Sequence, residues 1–550
     1  MSDLYSKASL VMNPQLVDTG KVYSIKPEDR KGDFTFTRSS YATRVNADGN
    51  IEKETQNLLL QSNTFDTNWA KTNASVTSGQ SGYDGTNDAW QITATATSSS
   101  FVRQFINVTS QVSTFSVYAK AGNVDWAYLN CVGVTAYYDL TNGVVGTTTG
   151  GGNLIDTKIV SVGNGWWKIS ITGLGIEQQR IYVANGNLGF DTAIGEYIYI
   201  QDAQLEQGLV ARDYIETTTA AVYGGITDNT PRLDYTDSSC PALLLEPQRT
   251  NLIPNSEYIP ATFFPINSNL TANSGISPEG VQNSTAVNVI SLSNGYCYYV
   301  PAVTDGVTYK FSAYYKGTAG ESISMRTINS FTGDITSNTF TLTGNWQREE
   351  VNLTAGPSNN LVYLYDGRVG GLTATDFEIY GAQLEAGSYA TSYIPTYGSS
   401  VTRNVDVSSV SSMISNGIIN DEKFTFMMHL KILGRATNPQ VYLTDVSGNR
   451  IVSLNTQSLN KASFYSPDAA NYIGNGTFIG DSVKAAISYD GNKFVQYING
   501  AKDGTLSVNI TSLLNGINLN NNILNAIDVK QVLVFPTALT DQEAIDLTTI

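Results

Sequence analysis

Apolar and polar residues alternate with a period of two through most of this chain, and helical periodicity is nearly absent. Asp33-Phe-Thr-Phe-Thr-Arg38 reads as a half-buried strand. Strand signals then recur every ten or so residues at Ala89–Thr95, Phe101–Ile106, Thr114–Ala119, Trp126–Val132, Trp166–Ile171, Arg180–Val183 and Glu196–Gln201. Asn142-Gly143, Gly150–Gly152 and Asn164-Gly165 separate them. Such spacing predicts antiparallel sandwiches. Near the C-terminus, Phe424–Leu433, Gln440–Leu443, Ile451–Asn455, Ser482–Tyr489, Phe494–Ile498 and Val529–Phe535 are strand-like, with hairpin turns at Asp490-Gly491 and Asn499-Gly500. Thr540-x-x-Glu543 is a capping box that opens one convincing helix, Asp541–Thr548.

The alternation is also duplicated. Asn57-Leu-Leu-Leu-Gln-Ser-Asn63 returns as Asn251-Leu-Ile-Pro-Asn-Ser-Glu257, and Trp69 as Phe263, at an offset of 194. Phe115-Ser-Val-Tyr-Ala-Lys120 returns as Phe311-Ser-Ala-Tyr-Tyr-Lys316 at an offset of 196. Trp167, Ala203-Gln-Leu-Glu206, Gly208 and Tyr214-Ile215 return as Trp346, Ala382-Gln-Leu-Glu385, Gly387 and Tyr393-Ile394, all at 179. The first copy therefore carries about 17 extra residues, expected within Val134–Gly152. A repeat of this kind fixes the domain map: an extended leader at 1–50, a first module at 51–217, a linker at 218–250, a second module at 251–400, and an unrelated sandwich at 401–550. The leader is too small and polar to hold a core. It is expected to dock on the first module or on a partner subunit. The linker strands Asp234-Tyr235 and Leu243–Leu245 are expected to pack on the second module.

Composition adds exclusions. Of 550 residues only 15% are charged, and the net charge is −16 with no basic run, so a nucleic-acid partner is not expected. No apolar run reaches the roughly 18 residues of a membrane helix, so membrane insertion is not expected. The Met-Ser-Asp start has no basic or apolar segment of a signal peptide, which points to synthesis in a cytoplasm. Cys131, Cys240 and Cys297 are odd in number and far apart, which suits buried thiols. His429 is the one histidine, and it lies in a strand pattern. No Gly-x-Ser-x-Gly elbow, His-Glu-x-x-His pair or phosphate loop is present. The acid pairs Glu349-Glu350 and Asp421-Glu422 are adjacent, so each would point to opposite faces of a strand and could not flank one glycosidic bond. Glu206 and Glu385 recur in both modules, which suits a framework role as hydrogen-bond acceptors.

Three motifs carry a resemblance. Phe36-Thr-Arg-Ser-Ser-Tyr-Ala-Thr-Arg-Val-Asn-Ala-Asp-Gly49 resembles a leader of bacteriophage fibre and tail proteins. Pro231-Arg-Leu-Asp-Tyr235 with Cys240-Pro-Ala-Leu-Leu-Leu-Glu-Pro-Gln-Arg-Thr-Asn-Leu252 resembles the segment introducing a sandwich module in the same proteins. The repeats resemble carbohydrate-binding-module jelly rolls, and the last domain is similar to concanavalin-A-like or laminin-G sandwiches. The resemblance implies an all-β chain of tandem antiparallel jelly-roll β-sandwiches, two homologous and one concanavalin-A-like. It implies a non-enzymatic virion fibre or adhesin, exposed on the particle, anchored to other virion proteins through the leader, homotrimeric, and holding a host surface glycan. A purely structural head or tail connector and a capsular polysaccharide depolymerase are the alternatives. Sugar binding needs flat rings ringed by polar groups, and Trp126, Tyr128, Tyr137, Tyr138, Tyr296, Tyr298 and Tyr299 are the candidate rings. Trp69, Trp167 and Trp346 fall on the shared frame and are expected in packing roles. No cofactor is expected beyond a structural calcium ion of the kind such sandwiches often hold, for which Asp139, Asp202 and Asp376 are generic oxygen candidates.

Overall fold

A computed structural model describes residues 2–419, 422–434, 439–458, 461–477, 480–510, 513–519 and 526–550. Asp421, one of the adjacent acids, lies outside them. The chain is all-β, built of antiparallel sheets stacked as three sandwiches.

Each module packs a front sheet on a back sheet. In the first, the back sheet runs Leu154–Gly163, Trp166–Leu174, Val112–Ala121, Tyr197–Gln207, Ala89–Ala94, Ala74–Gln80. In the second it runs Gln347–Thr354, Thr308–Gly317, Asp376–Ala386, Thr285–Val289, Ser268–Thr271. The order is the same apart from one added edge strand. The front sheets match likewise. Trp126–Asn130, Gln178–Ala184 and Ser98–Phe105 stand where Ser322–Asn329, Asn360–Asp366 and Tyr296–Tyr299 stand in the second copy. The additional residues of the first module form the edge strands Val144–Thr149 and Leu154–Gly163, somewhat beyond the expected Val134–Gly152. Alternation explains the cores. Phe115, Val117 and Ala119 of one strand lie beside Ile169, Ile171, Ile200 and Leu205 of its neighbours on the inner face of the back sheet, and all are buried.

The duplicated motifs form a clasp that closes each sandwich. Asn57 is fully buried and uses all four of its hydrogen-bonding sites. Its Nδ2 donates to the carbonyls of Ala203 (3.1 Å) and Ile215 (2.8 Å), and its Oδ1 accepts from Leu59 N and Leu205 N, each at 3.2 Å. Asn251 repeats the pattern with Ala382, Ile394, Ile253 and Leu384. Ser62 and Ser256 meet the hydroxyls of Tyr214 and Tyr393 at 2.6 and 2.5 Å. Glu206 accepts from Arg212 N at 2.9 Å, and Glu385 from Thr391 N at 2.8 Å. Both carboxylates thus accept backbone N–H groups and hold the segment that follows over the back sheet.

The leader and linker depart from expectation. Leu10–Met12 pairs with the final strand Ala526–Phe535, while Val17–Asp18, Lys21–Val22 and Phe34–Thr37 extend the opposite sheet of the terminal sandwich. Ala242–Leu245 also pairs with that final strand, and Arg232–Asp234 pairs with Ala242–Leu245. So the leader docks on the terminal sandwich and not on the first module, and the linker strands join the same sheet. The reason is apolar burial: Leu10, Met12, Val22, Phe34, Phe36, Leu243 and Leu245 complete a core with Phe424, Phe426, Val532 and Val534. A short helix, Ser2–Lys7, precedes them and has no counterpart in the sequence reading. The closing helix Asp541–Thr548 has its capping box formed.

The motif residues of leader and linker meet in one buried ion network. Arg38 reaches Asp406 Oδ1 at 3.0 Å. Arg232 bonds Asp406 and reaches Glu246 Oε2 at 2.7 Å, and Arg403 reaches the same Oε2 at 2.6 Å. All five side chains are at most 3% exposed. The two arginines hold the Glu246 carboxyl down at about 2 against the opposing effect of burial.

Candidate functional site: the aromatic front faces

The front sheet of each module carries rings on its outer surface. In the first module these are Phe101, Tyr128, Tyr137 and Tyr182, with Trp126 beside them. Tyr128 stacks on Tyr137 with centroids 4.2 Å apart, and Phe190 lies 6.1 Å from Tyr128. The 185–190 segment lies against this face through Phe190 and is tied to the edge strand Val144–Thr149 of the same sheet. Asn187 bonds Thr147 through N–H and hydroxyl, and Gly146 sits so close to Trp126 that a Cβ would fall 2.6 Å from its ring. Tyr128 and Tyr137 are consequently only 8% and 3% exposed. They pack chiefly on each other. Tyr138 is not on this face: it is the next residue on the strand and points inward, its hydroxyl donating to Ser170 O at 2.7 Å. Burial pushes that hydroxyl far above its ordinary range.

The second module leaves the same face open. Tyr298 lies across from Tyr363, as Phe101 lies across from Tyr182 in the first module. Tyr296, Tyr298 and Tyr363 form a triangle with centroids 5.9 to 6.0 Å apart, and Phe264, itself 59% exposed, lies 5.8 Å from Tyr298. Tyr296 and Tyr298 are half-buried. Tyr299 points the other way and packs on Phe263. The register slips by one residue beside Cys297, so Tyr363 stands on the face while Tyr365 packs against Phe377 inside. Arg368 lies 4.0 Å over the Tyr296 ring and 4.9 Å over Tyr363. It forks onto Asp366 with both bonds at 2.8 Å, and Arg326 adds a third at 2.9 Å. These contacts hold the Asp366 carboxyl below its ordinary range, against burial.

Sequence reading placed Tyr296 and Tyr298 but missed Phe264, Arg326, Tyr363, Asp366 and Arg368. The strand Leu361-Val-Tyr-Leu-Tyr-Asp366 carried only a weak signal, because the match of Tyr182 to Tyr363 has an offset of 181 and falls two residues out of the 179 register around it.

The oxygen candidates for calcium are scattered. Asp139 caps a turn by accepting from Thr141 N and Asn142 N, and Asp376 is bonded by Asn288 on an exposed edge. Asp202 is buried, accepts from the Tyr83 hydroxyl at 2.9 Å, and is pushed up to about 7 by burial with Asp88 and Asp84 nearby. Among the described residues, no group of three or more acid, histidine or cysteine side chains is arranged to hold a metal ion. Near Asp202, Gln201 Nε2 donates to Asp88 Oδ1 at 2.7 Å. The matching corner of the second module is filled by a cation from the start of the first module, Lys53 Nζ, 2.5 Å from Glu257 and 2.7 Å from Glu279.

The remaining chemistry is structural. Glu350 pairs with Lys310 at 2.9 Å and Glu349 accepts from Asn338, so the adjacent acids do separate across the strand. His429 lies 3.1 Å from Ser482 Oγ and is held down to about 4 by burial. Cys131 and Cys297 are buried, whereas Cys240 is exposed because its linker turn lies at the surface. Trp69 and Trp167 donate to backbone carbonyls within the first module, and Trp346 to Ile276 O in the second. No helix among the described residues is long and apolar enough to cross a membrane.

No family model matches the chain, and no curated protein matches it. Among solved structures, the tandem CBM22 domain of Paenibacillus barcinonensis Xyn10C is 13% identical, covering 60% of this chain and 96% of that one with a TM-score of 0.20. The CBM22-1–GH10 modules of Clostridium thermocellum xylanase 10B complexed with xylohexaose are 18% identical; the match covers 27% of this chain and 30% of that one, with a TM-score of 0.20. The LG1–3 region of the laminin α2 chain is 9% identical over 80% of this chain and 96% of that one, with a TM-score of 0.13. None of them carries a site residue over to this chain.

Proposed function

We propose that this protein is a non-enzymatic adhesin of a bacteriophage particle that binds glycans on the surface of its host. The observation that carries the reading is the open face of the second module, where Tyr296, Tyr298 and Phe264 offer ring surface on a floor formed by the buried Tyr363, beside charged hydrogen-bond donors. Sugar C–H faces stack on such rings while their hydroxyls take the polar groups. The acid at this face, Asp366, has both oxygens bonded by arginines and is not free to act as a general acid. A single weak contact suffices if several copies engage one surface, since linkage raises the effective concentration. In this reading the chain acts as a homo-oligomer, a trimer by family resemblance. Its attachment to other virion proteins uses the composite lobe of leader and terminal sandwich, because the leader strands are paired within that lobe. The closed face of the first module favours a spacer role for that sandwich.

A glycan array probed with the intact protein tests the reading. Binding that falls when Tyr298→Ala opens the ring triangle supports it. A flat array from folded protein would favour the connector role over the adhesin.

A further inference from the structure

We infer that the sugar taken by the tyrosine face of the second module is acidic, its carboxylate held by Arg326 and Arg368. The inference rests on the glycan-binding reading. Two guanidinium groups share one carboxylate at this site, so the cluster carries an excess positive charge on a chain whose net charge is −16. The charges are placed unevenly. The Asp366 side chain is fully buried, whereas that of Arg368 is 36% exposed and that of Arg326 is 16% exposed. Positive charge therefore faces out between the rings while its partner lies beneath.

Holding the turn requires less than this. Asp366 already accepts from Arg368 N and takes the Arg368 fork, so one arginine closes the structural unit. Arg326 is the second, and its side chain is 16% exposed. A carboxylate is the group that guanidinium edges bind most strongly. The first module supplies an internal comparison. Tyr128 lies across from Tyr182 there, at the position where Arg326 lies across from Tyr363 here. The same frame thus carries a ring in the closed copy and a cation in the open one. A uronic acid or another carboxylated sugar matches this set, with its ring on Tyr298 or Tyr296 and its carboxylate on the guanidinium edges.

The test uses the full chain immobilised on a sensor, with polygalacturonate as one ligand and the same polymer with its carboxyls reduced to alcohols as the other. Binding to the acidic polymer that weakens at least about tenfold on reduction is expected, from the loss of charge-assisted hydrogen bonds. Arg326→Gln should weaken binding to the acidic polymer by several-fold more than binding to the reduced one. Arg368→Lys, which keeps the charge and loses the fork, should fall between. Equal binding to both polymers overturns the acidic inference and leaves glycan binding standing. Absence of binding to either, with a flat glycan array, overturns both. Should Arg326→Gln fail to fold, the comparison of the two polymers on the unmodified chain still decides.

Discussion

Replacing Asn57 by alanine should strongly destabilise the first module. The side chain is fully buried, and its loss strands two backbone N–H groups, of Leu59 and Leu205, and two carbonyls, of Ala203 and Ile215. A typical net contribution is about 1 kcal/mol per hydrogen bond, and more when the partner is left buried without a substitute. Four such bonds give roughly 4 kcal/mol. Domain stabilities lie near 5–15 kcal/mol, so this is a large part of the total. Five of the six tryptophans, at 69, 90, 126, 166 and 167, lie in this module, so tryptophan fluorescence in urea reports mainly on it. With an m-value of about 2 kcal/mol/M, the fluorescence midpoint should drop by roughly 2 M in Asn57→Ala. Asn57→Asp, which keeps the acceptor and loses the donor, should also fall well below the parent. A midpoint within about 0.3 M of the parent for Asn57→Ala would refute the reasoning, because it would mean that water or backbone shifts replace all four bonds.

Two further outcomes follow from buried charge. Asp406→Ala removes a fully buried carboxylate that meets Arg38, Arg232 and Glu246 N, and breaking such a network costs about 3–5 kcal/mol. Limited proteolysis should then cut within the leader or linker before the modules are digested; unchanged protection would count against the network as the tie between them. Stability should also fall as pH rises from about 6.5 to 8. Burial, with Asp234 as the next cause, raises the Asp528 carboxyl to about 8. The native state keeps its proton where the unfolded chain has lost it, so the contribution is lost as pH rises toward that value. At about 1.4 kcal/mol per unit, Asp528 accounts for roughly 2 kcal/mol over this window. His429, lowered to about 4, acts in the opposite direction but only below its unfolded value near 6.5. Thermal melts across the window, with Asp528→Asn giving a flatter profile, check this; a melting temperature that rises with pH would contradict it.

How much of this was legible in the sequence differs from element to element. The clasp was, in part: Asn57 and Asn251, and the two Gln-Leu-Glu segments, stood out because they recur at fixed offsets, and repetition in a non-catalytic frame is what a hydrogen-bonded closure produces. The candidate rings were legible as residues but less so as a site. Parity along a strand separates Tyr137 from Tyr138 and Tyr298 from Tyr299, yet which parity faces the core depends on the opposing sheet. Arg326, Asp366 and Arg368 come from two strands and a turn, and no local pattern joins them.

Alternation, turn residues and the internal repeat were enough to fix an all-β chain of three sandwiches, since period-two burial and tight turns are local properties. Tertiary structure alone decided that leader and linker complete the terminal sandwich, because an edge strand's alternation states that it needs a partner without naming one. It also decided that one aromatic face is covered and its copy left open. That difference depends on where the 185–190 segment comes to rest against the front sheet, a matter of long-range packing.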